Sequence, residues 1–407
     1  MAGAVTLSRC LVVLIALLLY SCQNRSTTTK QFDPAQVAFP AIHDPLYDGQ
    51  LYPSLLLATS HTQQNSQFTV TLNAPTDDAV LRIVIDSSSL NYITIFQETL
   101  PKRGEQYTFS PSIKWKYPVL RHLRTPGALD LTFSCYINDE LVDIKNLHLA
   151  YRTVNECPLS ILYNNQHHDF RWLFAAYVNE DHPHIEQILT SILEQNIITR
   201  FSGYQSNEKS VREQVFAIWY YALNRGISYS SISCTSNPSP RANVQHIRFF
   251  DEVYTSRQAN CIDACVFFAS IMRKIGLKPV IFVEPCHAYL GYYTDRNRKK
   301  IELLETTITS WVNFPDLEKN LDDQGVLPEA QFKKVSKYLS EDDIAKYQNG
   351  NMTFEELKII VARSLFEKAT EYDRETYEAN RASFADTTVM GFQQLDIEQL
   401  RSAVQPI

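Results

Sequence analysis

The chain has few glycines and an excess of acidic over basic residues. Its 407 residues contain 11 glycines against 18 prolines, a ratio that predicts rigid loops and few left-handed turns. The formal net charge of −7 argues against binding to nucleic acid. Hydrophobic residues make up 44% and charged residues 20%, as in ordinary folded proteins, and the length predicts two or three domains.

The N-terminus carries an apolar run that we interpret as a targeting signal. Arg9 supplies a positive charge, and the apolar residues 11–20 that follow are too few to span a membrane comfortably. Leu19-Tyr20-Ser21-Cys22 resembles the bacterial lipobox, which implies cleavage before Cys22 and attachment of lipid (palmitate) to its thiol. The alternatives are an ordinary secretory signal with an accidental cysteine and a retained membrane anchor.

Lipidation at Cys22 would place the mature chain on a membrane of the bacterial cell envelope. Residues 1–21 are then the signal peptide, and residues 22–35 form a polar tether rich in Ser and Thr. In bacterial lipoproteins an Asp after the cysteine favours retention in the inner membrane. Gln23 stands at that position, so we expect the outer membrane.

Residues 36–153 show the period-two alternation that is typical of β-strands. Residues 67–72 and 81–85 alternate apolar and polar side chains, and further short segments follow at intervals of roughly ten to twenty residues. This spacing predicts an antiparallel β-sandwich of immunoglobulin-like type. Its histidines are scattered singly and no catalytic set appears, so we expect a spacer or binding module.

Helical periodicity replaces this alternation after residue 154. Residues 181–184 read Asp-His-Pro-His and open a predicted helix to about residue 194, and a second helix covers residues 210–224. His182 and His184 could be a metal-binding pair, but no Asp or Cys stands at a matching spacing. We therefore expect structural or solvated histidines here and no metal.

A helix start that suits a reactive thiol lies at Cys261. Asn260 and Asp263 have the spacing of a capping box, which predicts a helix from Cys261 to about Lys274. Apolar residues cover nearly all of this helix, so we expect it to be buried. In its first turn, unpaired backbone N–H groups and the helix dipole favour an anion and can hold an oxyanion.

Two further side chains complete a cysteine nucleophile system with Cys261. His287 enters a strand that follows the apolar strand at residues 277–283, and Glu305 ends a third strand. A cysteine nucleophile needs a base to take its proton and an acid to orient that base. The sequence therefore predicts Cys261 as nucleophile, His287 as base and Glu305 as orienting acid.

These residues lie in motifs that resemble those of the transglutaminase-like superfamily. A bacterial envelope branch has motifs of the form G-N-C-I-D, P-G-H-A and I-E-T-T, and this chain reads Ala259-Asn260-Cys261-Ile262-Asp263, Pro285-Cys286-His287-Ala288 and Leu304-Glu305-Thr306-Thr307. The resemblance covers residues 156–313 and implies a papain-like α+β domain with this catalytic triad, in which Glu305 replaces the usual aspartate. Ala259 and Cys286 stand where the branch usually has glycine.

Other interpretations of the cysteines remain open from sequence alone. Cys261 could be an inert buried thiol, and Cys265, one turn later, is expected in the core. Cys286 could form a disulfide with either of them, or all three could bind zinc with His287, although the C-x3-C spacing is unusual. An oxidising envelope would also permit a bridge between Cys135 and Cys157.

The C-terminal part, residues 319–407, is acidic and helical. Helical patterns cover residues 329–339, 341–349 and 354–380, and no heptad persists that would predict a coiled coil. We expect a helical extension packed on the catalytic domain.

The sequence thus predicts a multi-domain chain, with a β-sandwich at residues 36–153, a transglutaminase-like domain at 154–318 and the extension at 319–407. The predicted function is a membrane-anchored cysteine hydrolase or acyltransferase that acts on amide bonds through a thioester. Its substrate would be a peptide or protein, cell-wall peptide included, with no cofactor. The alternative is a catalytically inactive binding or scaffold lipoprotein on the cell surface.

Overall fold

A computed structural model describes residues 41–43, 49–61, 68–163, 165–231, 241–386, 389 and 391–407. The chain is mixed α/β, with several sheets and a helical C-terminal stretch. The predicted signal peptide, the tether and Cys22 lie outside the described residues, as does Cys234. Across the described ranges, no helix is long and apolar enough to cross a membrane.

The elements are numbered in chain order. The strands are β1 (Ala41–His43), β2 (Gln50–Leu51), β3 (Thr69–Asn73), β4 (Ala79–Ile85), β5 (Thr94–Leu100), β6 (Gln106–Phe109), β7 (Gly127–Ile137), β8 (Glu140–Tyr151), β9 (Glu156–Tyr163), β10 (Gln166–Asp169), β11 (Ser228–Tyr229), β12 (Ala242–His246), β13 (Gln258–Ala259), β14 (Pro279–Glu284), β15 (His287–Tyr293), β16 (Ile301–Leu304) and β17 (Gln393–Asp396). The helices are α1 (Pro53–Ala58), α2 (Tyr117–Leu120), α3 (Phe174–Tyr177), α4 (His184–Glu194), α5 (Glu208–Arg225), α6 (Phe250–Ser256), α7 (Cys261–Lys274), α8 (Phe314–Glu318), α9 (Glu329–Ser336), α10 (Glu341–Gln348), α11 (Phe354–Glu371), α12 (Arg374–Ala385) and α13 (Ile397–Leu400).

Two sheets share one hydrophobic cluster in the N-terminal part, so the β-rich interpretation is confirmed. A five-stranded sheet has the order β2-β8-β7-β4-β5, and a three-stranded sheet has the order β1-β3-β6. Alternate residues of β4 are buried, as its period of two predicts. The expectation of a wholly antiparallel arrangement is wrong, because β2 runs parallel to β8. The chain leaves β2 directly into α1, so no hairpin constrains the direction of this short strand.

The largest hydrophobic cluster lies around α7. The four-stranded antiparallel sheet β16-β15-β14-β17 packs against this helix. Every residue of α7 from Ile262 to Met272 is buried, as its apolar composition predicts. The helix ends predicted at Lys274 and Glu194 are confirmed, and Gly226 caps α5 in the left-handed conformation with φ 73°.

The prediction that helical structure begins near residue 154 is wrong. Residues there form β9, which pairs with β10 and β12 in a three-stranded antiparallel sheet. Cys157, Leu159 and Ile161 alternate along β9 and turn towards the largest cluster, so a period of two is present in this segment. Helix α6 at Phe250–Ser256 was not predicted either.

The single helix predicted at residues 354–380 is also wrong, since the chain breaks between α11 and α12. Asp373 occupies the N-cap position of α12. The break lets the two helices pack on different surfaces. Leu365 of α11 lies in the cluster around α7, and Phe384 of α12 packs against Phe282 and Tyr289 of the four-stranded sheet. The C-terminal stretch thereby covers the far face of that sheet.

Candidate active site

Cys261 is the first residue of α7, and the turn that presents it is held by four hydrogen bonds. Asn260 Oδ1 accepts from Asp263 N at 2.9 Å, and Asp263 Oδ2 accepts from Asn260 N at 3.0 Å. Arg248 donates its Nη1 to Asp263 Oδ2 at 2.7 Å and its backbone N to Oδ1 at 2.8 Å. The predicted capping box is therefore present. Burial raises the pKa of the Asp263 carboxyl, and these hydrogen bonds oppose the shift.

His287 is the first residue of β15, directly after the turn of the hairpin formed by β14 and β15. It pairs across the hairpin with Glu284, and Pro285 and Cys286 form the two-residue turn. Cys286 has a φ of 66°, the left-handed region in which glycine is the usual residue. The turn places the imidazole at the start of β15, partly exposed, where it meets the first turn of α7.

The imidazole connects Cys261 to Glu305. His287 Nε2 donates to Glu305 Oε2 at 2.7 Å, and the Cys261 side chain is close enough to the ring to raise its pKa. Glu305 is fully buried, and its Oε1 accepts from Thr307 N at 2.7 Å as the cap of the 3-10 helix Thr306–Trp311. The three residues predicted from sequence thus lie together, and a hydrogen bond joins two of them.

The electrostatics of this chain favour an imidazolium ion. Interaction with the Cys261 side chain and the hydrogen bond to Glu305 raise the pKa of His287 to about 11, although burial opposes the shift. Burial would raise the pKa of Glu305, but hydrogen bonds from His287, Thr307 and Asp373 outweigh it and lower the pKa. At neutral pH the histidine is therefore positively charged, between a carboxylate and the cysteine sulfur.

A cavity of about 440 Å³ opens beside Cys261 and His287. The start of α7 and the turn between β14 and β15 form one wall. The opposite wall carries polar side chains of β12 and the ion pair between Arg171 and Asp169. The full lining is Leu159, Ser160, Asp169, Arg171, Phe174, Asn243, Val244, Gln245, Cys261, Ile262, Val283, Glu284, Pro285, Cys286, His287, Ala288 and Gly391.

Asp373 is a site residue that sequence reasoning missed. Its Oδ1 lies 3.9 Å from His287 Nε2, and one of its carboxyl oxygens lies within 4.8 Å of a Glu305 oxygen. The predicted helix at residues 354–380 placed this acid inside a charged helical turn, so no sequence signal pointed to it. The Arg171–Asp169 pair was missed for a related reason, because β10 was not predicted.

The alternative arrangements of the cysteines are not formed. Cys135, Cys157, Cys261, Cys265 and Cys286 are all free thiols, so the Cys135–Cys157 bridge and the disulfides to Cys286 are absent from these described residues. Cys265 is fully buried, with its sulfur 3.9 Å from Thr306 Oγ1, as expected for a core residue.

The cysteine-based zinc site finds no support in the geometry either. Within the described ranges, one group of three metal-ligand side chains has donor atoms within 4.8 Å of one another, namely His287, Glu305 and Asp373. This group contains no cysteine. His287 and Glu305 lie together because they are hydrogen-bonded, and Asp373 lies beside them. His184 stacks on Tyr254, and the His182 ring lies tilted against Phe250 with ring centroids 4.8 Å apart.

No protein-family model matches the chain, and no curated protein matches it in sequence. Any family assignment therefore depends on the three short motifs and on the site itself. Chemically, the imidazole can take a proton from the thiol and return it to a leaving group. The carboxylate stabilises the imidazolium that exists between these two steps.

Proposed function

We propose that the chain is a transglutaminase-like cysteine hydrolase or acyltransferase that acts on amide bonds. The observation that carries the proposal is the hydrogen-bonded pair of His287 and Glu305 beside Cys261 at the edge of the cavity. A thiol at a helix start, an imidazole and a buried acid are the parts that papain-like catalysis requires. The motif resemblance supports the same assignment of roles.

In the proposed reaction the Cys261 thiolate attacks the carbonyl carbon of the amide. Backbone N–H groups in the first turn of α7 stabilise the oxyanion that forms. The His287 imidazolium gives its proton to the departing amine, so the C–N bond breaks and a thioester remains on Cys261. Water or a second amine then attacks the thioester, with His287 taking its proton, and the thiol is released. Glu305 orients the ring and stabilises its charge throughout.

The proposed substrate is a peptide or protein, cell-wall peptide included. The cavity supports this class because it combines apolar side chains with Asn243, Gln245 and the Arg171–Asp169 pair, which suit amide and charged groups. We further propose that Cys22 carries lipid in the outer membrane and that the N-terminal sheets form an immunoglobulin-like module. Both proposals depend on sequence patterns.

Alkylation with iodoacetamide tests the nucleophile directly. We expect Cys261 to react about tenfold faster at pH 7 than Cys286. Cys286 is exposed but lies outside the proposed triad. Peptide mass spectrometry after short exposures measures both sites in one sample. His287→Ala should slow labelling of Cys261 and leave Cys286 unchanged.

Equal or slower labelling of Cys261 would contradict the enzyme proposal. In that case the inactive scaffold lipoprotein becomes the better hypothesis. A thioester adduct trapped on Cys261 from peptide amides, and absent in Cys261→Ala, would establish the acyl-transfer chemistry.

A further inference from the structure

A second buried acid lies behind the imidazole. Asp373 is only 4% exposed, and one of its carboxyl oxygens lies within 4.8 Å of a Glu305 oxygen. Its Oδ1 is 3.9 Å from His287 Nε2, whereas its Oδ2 has no hydrogen-bond partner among the described residues. Burial of a carboxyl group with so few hydrogen-bond partners is costly in free energy. We therefore expect Asp373 to affect the ionisation of the groups around it.

Asp373 is placed as a helix cap but does not act as one. Asp at an N-cap usually accepts a hydrogen bond from the first turn and stabilises a helix by about 1 kcal/mol. The side chain of Asp373 makes no such bond to α12. The side chain points to Glu305 instead. Asp373 therefore contributes no capping stabilisation to α12 and makes a contact at the site.

The position of Asp373 is fixed by the packing of α12. Tyr377 N donates to the Asp373 backbone carbonyl at 2.8 Å. Tyr377 and Phe384 both contact the ring of Phe282 edge-on, with ring centroids 5.2 Å apart. This packing holds α12 in place, and α12 thus places the Asp373 carboxyl group behind the His287 imidazole.

Two carboxyl groups this close together cannot both ionise readily, and the surroundings decide which of them holds a proton. Burial, followed by the charge and hydrogen bond of Glu305, raises the pKa of Asp373 to about 8. Glu284 adds to this shift and the His287 imidazolium opposes it. Tyr289 and Cys265 also face Asp373, and burial raises the pKa of both, so they are neutral at pH 8. Below pH 8, Asp373 therefore holds the proton and Glu305 is the carboxylate.

We propose that Asp373, in its neutral form, is a positioning residue that donates a hydrogen bond to Glu305 and holds that carboxylate against His287. The proposal rests on the proposed function, because it assigns a role toward the orienting acid of the triad. Loss of the proton would set a second negative charge beside Glu305 and remove the donor that fixes it.

The NMR resonance of the His287 Nε2 proton tests this directly. A proton held between imidazolium and carboxylate resonates far downfield, and its absence in His287→Ala assigns it. In the wild type we expect its shift to inflect near pH 8, as Asp373 ionises. Asp373→Asn keeps a donor that cannot ionise, so its resonance should persist without the inflection. Glu371→Gln is the matched control, because Glu371 is 62% exposed and pairs with Arg374.

Labelling of Cys261 supplies a second measurement. We expect Asp373→Ala to slow alkylation at pH 7 about tenfold through misplacement of Glu305 and His287, and Asp373→Asn to restore most of the rate. An inflection that survives in Asp373→Asn overturns the proposal, and so do equal rates for the alanine and asparagine variants when wild-type Cys261 is reactive. The two proposals fail separately: an unreactive Cys261 refutes the enzyme, while the His287 titration still reports on Asp373.

Discussion

The N-terminal sheets and the region around α7 differ in the polar groups that they bury. Within the described part of residues 49–154, the buried polar side chains are Ser54, Asn91 and Thr94, all uncharged. After residue 154 the described chain buries seven ionisable side chains, which are Glu156, Arg171, Asp263, Glu305, Lys358, Asp373 and Asp396. Since a buried charge is costly unless it is paired, the difference indicates where the fold serves more than stability.

The difference also separates two kinds of buried charge. Asp263 is fully paired and acts on the backbone of the turn that presents Cys261. Glu305 and Asp373 have shifted pKa values in opposite directions and lie against an imidazole beside a cavity. Carboxyl groups whose environments move their pKa values apart are typical of catalytic sites. The N-terminal sheets contain no such pair among their described residues.

Removal of the Asp263 carboxylate should have the largest effect on stability. Asp263→Ala leaves the Arg248 guanidinium, whose side chain is 15% exposed, without its partner and removes the capping box. We expect the free energy of unfolding to fall by about 3 kcal/mol, the cost of breaking a buried ion pair. Urea denaturation followed by circular dichroism measures the change.

Asp130→Ala is the matched change in the N-terminal sheets. Asp130 pairs with His148, but both side chains are more than 70% exposed, so the change in unfolding free energy should be within about 0.5 kcal/mol. Similar losses for the two variants would mean that the contrast between the regions has no energetic basis.

The capping box was predictable because Asn260 and Asp263 are three residues apart, and capping depends on local spacing alone. The start of β15 at His287 was predictable in the same local way, and Glu305, predicted at the end of a strand, directly follows β16. Asp373 was not, because its place depends on a helix break whose cause is packing on Phe282, far away in sequence. The pairing of β12 with β9 was missed because it joins segments more than 70 residues apart.

Two glycines offer a second comparison of the regions. A Cβ on Gly291 would lie 2.6 Å from Phe282 Cε2 and 3.2 Å from Ile301 Cδ1, in the sheet beside the site. Phe282 is fully buried and cannot move away, so Gly291→Ala should cost about 2 kcal/mol. A Cβ on Gly127 would meet the Tyr151 ring, which is partly exposed and can rotate into solvent.

We therefore expect Gly127→Ala to cost about 1 kcal/mol or less. Thermal unfolding of the two variants in parallel measures the difference. A larger cost at Gly127 would show that the N-terminal sheets are packed as tightly as the sheet that carries His287.

Neutralising Glu305 should alter the site more than the fold. Glu305→Gln keeps the shape but removes the charge, so the pKa of His287 should fall from about 11 towards its ordinary value. Alkylation of Cys261 at pH 7 should slow about tenfold, which corresponds to about 1.4 kcal/mol. Peptide mass spectrometry measures this rate, and an unchanged rate would exclude Glu305 as the orienting acid.

The same variant should change how stability depends on pH. A histidine whose pKa is raised in the folded state contributes stability that is fully present below its unfolded pKa of about 6.5. That contribution is lost as the pH rises through the folded pKa, here about 11. Wild-type stability should thus decline across this alkaline window, and Glu305→Gln should show a smaller decline in urea titrations at pH 6.5 and 10.

The smallest effect is expected at the turn beside the base. Cys286 adopts a φ of 66°, which costs a residue with a Cβ about 1 kcal/mol that glycine avoids. Because glycine also gains entropy in the unfolded chain, Cys286→Gly should raise the free energy of unfolding by only about 0.5 kcal/mol. Cys286→Ala keeps the strained backbone and should not be stabilised.

If the glycine variant is more stable and Cys261 still reacts at the wild-type rate, the thiol of Cys286 is dispensable for the nucleophile. If labelling of Cys261 slows only when this thiol is lost, Cys286 belongs to the site that it borders, and the strain at the turn has a functional reason.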